Sequence, residues 1–104
     1  MLALHSTFKK IGKTIQKYDK NNIIHMKLKR IEEVEPKINE LLSSLAPEEQ
    51  ERINSIVDTS LEEITIFTKL IGIVPKSERA AIIGAIFSFP EELLQMLQEK
   101  GENH

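Results

Sequence analysis

The side chains of this sequence that could do chemistry are three histidines, a handful of serines and four pairs of adjacent glutamates. His5, His25 and His104 lie far apart. None stands four residues from another, as a His-Glu-x-x-His zinc helix requires. Ser43, Ser44, Ser55, Ser60 and Ser88 offer hydroxyls, but none sits in the Gly-x-Ser-x-Gly turn that exposes a nucleophile. The pairs Glu32-Glu33, Glu48-Glu49, Glu62-Glu63 and Glu91-Glu92 project about 100° apart on a helix, which separates the two carboxylates that acid–base chemistry would need together. With no cysteine, thiolate metal sites, disulfides and catalytic thiols are excluded. Gly12, Gly72, Gly84 and Gly101 are isolated, so no glycine-rich phosphate loop is present. The expectation is a protein that is not an enzyme and that carries no cofactor and no metal.

Charge is the most informative feature. Residues 1–30 hold eight bases and one acid, a sum of +7, whereas residues 31–104 hold six bases and fifteen acids, a sum of −9. Lys9, Lys10, Lys13, Lys17 and Lys20 form the basic candidate surface. Such a surface can track a phosphate backbone, lie on anionic lipid or dock an acidic protein; the plainer alternative is a face that only keeps the protein in solution. Several features weigh against nucleic acid. The bases are mostly Lys, where bidentate reading of bases uses Arg, and the isoelectric point is about 5.9. The last helix opens with Glu91 and Glu92, which repel phosphate. A protein partner is therefore the first expectation, and nucleic-acid binding through the basic N-terminal helices the alternative.

The longest apolar run, residues 80–87, is apolar on every face. It reads first as a central buried helix. Its second reading is a contact surface, through Phe87, Phe89 and Met96, for a partner protein or a second copy of the chain. Ala80 and Gly84, four apart, would allow another helix to approach closely.

These residues are carried by helices. Leu4, Phe8, Ile11, Ile15 and Tyr18 recur at helical spacing, predicting a first helix over 6–18 capped by Ser6 or Thr7, with Asp19-Lys20-Asn21-Asn22 as a stop and turn followed by a second cap. Ile24, Leu28, Ile31, Ile38, Leu42 and Leu45 predict a second helix over 23–45, kinked near Pro36, whose stripe would be unbroken if Glu35 were apolar. Pro47, Glu48 and Glu49 suit a first turn, and Ile53, Val57, Ser60, Ile64, Phe67 and Ile71 extend that helix to 71. Ser77 would cap a short helix to Phe87. Ser88-Phe89-Pro90-Glu91 fits a capping box opening a last helix that ends before Gly101. No period-2 alternation or hairpin turn signals a strand.

The predicted fold is all-α: a compact antiparallel bundle of four to five helices, two long central ones and a short C-terminal helical hairpin, whose last two helices end to end match one central helix in length. A chain of 104 residues with 40% hydrophobic and 29% charged residues is expected to form one domain spanning 1–104. An apolar run of eight residues falls short of the ~20 that span a bilayer. The start of the chain has no basic region followed by an apolar core. No membrane span and a cytoplasmic location are the expectations. Eleven Lys against three Arg, with fifteen Ile, hint at a bacterial or phage genome. In size and class alone the chain is similar to small helical inhibitors, immunity proteins and phage or plasmid regulators, an association that no motif carries; the expected role is that of a regulator, inhibitor or adaptor acting through protein–protein interaction.

Overall fold

The computed structural model describes residues 2–102. The described chain is helical, in the order α1 (Leu4–Ile15), a 3-10 turn (Gln16–Tyr18), α2 (Ile23–Ser43), α3 (Pro47–Leu70), α4 (Lys76–Phe87) and α5 (Phe89–Glu102). No strand occurs among the described residues, and the body measures 44 × 23 × 22 Å.

α2 is the hub, with its broadest seam against α5 and further seams with α1 and α4. Its buried stripe of Ile24, Ile31, Val34, Ile38 and Leu42 runs through Pro36 without a break. The expected continuous helix is the one that forms. Glu35, the residue that spoils the apolar stripe, accepts the His5 N–H on Oε2 at 2.6 Å. It satisfies a donor at the start of α1, which has no acid of its own in its first turn. Beside it, Asn39 Oδ1 accepts the Leu2 N–H at 2.9 Å while Asn39 Nδ2 donates to the Leu2 carbonyl at 3.2 Å.

Three expected caps are replaced. α1 begins at Leu4, before Ser6 and Thr7, and the Thr7 hydroxyl donates back to the Ala3 carbonyl. α4 begins at Lys76, so Ser77 lies inside it and makes no cap bond. Ser88 donates its hydroxyl to the Gly84 carbonyl at 2.6 Å, within the preceding turn. The cap expected for α2 within residues 19–22 is Asp19: its two carboxylate oxygens accept the N–H groups of Ile23 and Ile24 at 2.9 and 2.8 Å. Asn22 between them takes a left-handed φ of 56°, a conformation Asn tolerates better than most residues.

The C-terminal pair is a bent rod. One residue, Ser88, joins α4 to α5 in a right-handed helical conformation (φ −82°, ψ −14°). The helices therefore follow end to end, as their lengths suggest, and do not fold back on each other as a hairpin. Phe87 meets Phe8 edge to face at 5.5 Å between ring centres. Gly12 lets α1 approach α2 closely, since a Cβ there would stand 2.8 Å from Ile24 Cγ2. The close contact expected at Gly84 falls at Gly12 instead, because nothing lies within 4 Å of a Cβ built at Gly84.

α3 sits on the flank, with its main seams against α1 and α4. Over 24 residues it buries Ile53, Val57, Ile64 and Thr68, followed by Ile71 just past its end. Thr68 takes the inward position expected of Phe67 and donates its hydroxyl to the Ile64 carbonyl at 2.8 Å. Phe67, one step around the helix, is 53% exposed.

Candidate interaction surfaces

Among the described residues no three of His, Asp or Glu gather into a group able to hold a metal. The polar groups that converge have structural partners. Arg30 bridges α2 to α5, with Nε donating to Glu91 Oε1 at 2.9 Å and Nη1 to Glu33 Oε2 at 3.2 Å. Those two carboxylates hold its pKa above the ordinary arginine value. Arg79 donates to the carbonyls of Ile71 and Gly72 at 3.2 and 3.1 Å, satisfying acceptors at the C-terminal end of α3. Its guanidinium lies 4.7 Å from the centre of the Tyr18 ring. Lys100 Nζ reaches Glu49 Oε2 at 3.1 Å and so ties α5 to the beginning of α3.

Between these ties a groove of about 330 Å³ opens along the seam of α3 with the α4–α5 rod. One wall is Ser60, Glu63, Ile64 and Phe67; the other is Ile82, Ala85, Ile86, Phe89 and Glu92. The floor is core, since Ile64 and Ile86 are buried. Beyond Phe67, the outer side of α3 and the turn after it leave Ile66, Leu70 and Ile73 exposed, Ile73 at 79%. Two acids line the groove and no base does. Neither Glu63 nor Glu92 has a cation within 4.0 Å among the described residues.

The three apolar candidates part company. Phe87 is 1% exposed and fixed against Phe8, so it belongs to the core and cannot face a partner while α4 stays docked. Phe89 is half-buried and lines the groove. Met96 is half-buried and packs on the core. The residues the sequence pattern missed are Ile66, Phe67, Leu70 and Ile73; a helical-face count puts Phe67 inside because Ile53, Val57 and Ile64 share its phase to within about one residue.

Lys9, Lys10, Lys13, Lys17 and Lys20 are all exposed. α1 turns Leu4, Phe8, Gly12 and Ile15 inward, which leaves its lysines on the outer side. No carboxylate lies within 4.0 Å of any of them among the described residues. Lys17 Nζ instead stands 5.2 Å from the Tyr18 ring centre.

The chain matches no family model, no curated protein and no solved structure. Its surfaces are therefore read from their own chemistry. One such surface is the rod from Lys76 to Lys100, whose most apolar 18-residue window has a mean hydropathy of 1.4 and is 39% buried in the bundle. By length and composition it could cross a membrane, a property hidden when only uninterrupted apolar runs are counted. In the bundle its inward face, with Ile83, Ile86, Phe87, Leu93 and Leu97, closes the core.

Proposed function

We propose that this is a non-catalytic helical interaction module that binds another protein through the groove between α3 and the α4–α5 rod. The observation that supports it is the open apolar groove with Phe67 on its wall, beside further exposed large apolar side chains on the same helix, Ile66 and Leu70. Contiguous exposed apolar surface of this kind costs solubility and typically marks a binding site. All groove walls are helical, so a partner gains by side-chain packing and not by adding a strand. Regulation, inhibition or bridging of that partner is the role such a module plays.

The test is affinity purification from the native host with quantitative mass spectrometry, run in parallel on the wild type and on Ala85→Trp. Ala85 is exposed and lines the groove, so an indole there fills it without entering the core. Proteins recovered with the wild type and lost with the variant support the reading. Equal recovery with both, or a bound metabolite converted on incubation, overturns it.

A second reading, nucleic-acid binding, is favoured by the five unpaired lysines on the outer side of α1 and its following turn. Phosphate contacts there would give a log–log salt slope of about −0.9 per phosphate neutralised on duplex DNA. Binding at physiological salt that is lost with Lys9→Ala and Lys13→Ala together would place this reading first.

A further inference from the structure

The groove's chemistry narrows what it takes. We infer, on the reading that the groove is the binding surface, that its occupant is an amphipathic helix with an apolar ridge flanked on both sides by Lys or Arg. Glu63 stands on one wall and Glu92 on the other, with no base in the groove and no cation within 4.0 Å of either among the described residues. An apolar ridge lowered between Phe67 and Phe89 brings the two edges of the incoming helix beside these carboxylates. Neutral edges would leave them partly desolvated and unpaired, and acidic edges would meet like charge, so the walls select against both. The small Ala85 gives the depth into which one ridge residue can reach. The basic face of a second copy is a poor occupant, because the apolar side of its α1 already lies in its own core.

The chemistry can be read without knowing the partner. A display library of amphipathic helices, with ridge and flank positions randomised, is selected against the full-length protein, then counter-tested on Ala85→Trp and on Glu63→Gln with Glu92→Gln. Helices enriched in Lys and Arg at both flanks are expected, with binding lost on Ala85→Trp. Their affinity should fall about two- to thirtyfold on the double Gln variant, the size expected of two exposed ion pairs. Circular dichroism confirms that each variant keeps its helix content. Helices that bind in the groove with no basic enrichment overturn this inference and leave the groove itself standing. Helices unaffected by Ala85→Trp, or no enrichment at all, overturn the groove reading as well. A wild-type dimer in sedimentation equilibrium that Ala85→Trp dissociates would put a second copy in the groove and overturn the basic-helix assignment.

Discussion

The two sides of α2 and α3 show what a helix gains from being surrounded. α2 is flanked by α1, α4 and α5, and its apolar stripe is almost entirely closed. Even its one polar intrusion, Glu35, is used to hold the start of α1. α3 is slightly longer, yet its main neighbours are α1 and α4, and it leaves Ile56, Ile66, Phe67 and Leu70 in water. At a similar density of apolar residues, α2 leaves Met26 in water and covers the rest wholly or in part, whereas α3 leaves those four. The number of neighbours decides between them, and the side with fewer is where a partner can still be added.

Substitutions on the two sides should separate stability from binding. Phe87→Ala, in the closed region, should cost about 3–5 kcal/mol, much of a total stability of roughly 5–15 kcal/mol, seen as a large drop in the urea midpoint. Gly12→Ala should also destabilise, because overpacking against the Ile24 methyl costs about 1–3 kcal/mol and exceeds what alanine returns in helix propensity. Asp19→Ala should lose about 1 kcal/mol by removing the cap of α2, measurable in the same titration. Gly84→Ala should raise stability by about 0.5–1 kcal/mol, since its Cβ enters open space. Phe67→Ser should move stability by only about 0.5 kcal/mol, while weakening partner binding more than any of the others per unit of stability lost. A cost for Phe67→Ser comparable to that of Phe87→Ala would erase the contrast between the two sides.

The bundle was legible because each long helix writes its inward face as a spaced row of Ile, Leu and Val, and because Pro47, Gly72 and Pro75 punctuate α3 locally. Caps were less legible. Asp19 acts four and five residues downstream, and Glu35 acts on a donor 30 residues away, so neither shows in a scan for the nearest Ser or Thr. The exposure of the five lysines was legible, since lysines opposite an apolar stripe have nowhere to go but water. The groove was legible in Phe89 and not in Phe67. A stripe gives the phase of a helix but not how many neighbours will cover it, and Phe67 lies where coverage stops. Phe87, a contact residue only in the second reading of its run, is core for the converse reason: Phe8, 79 residues earlier, covers it.

The most direct measurement is site-specific photocrosslinking in the native host, with a photoreactive phenylalanine analogue placed at Phe67 in one version of the protein and at Lys13 in another. The groove account predicts a discrete protein adduct from position 67 that disappears when Ala85→Trp is added, and none of comparable yield from position 13. An adduct to protein or nucleic acid formed only from position 13, with position 67 silent, would contradict it.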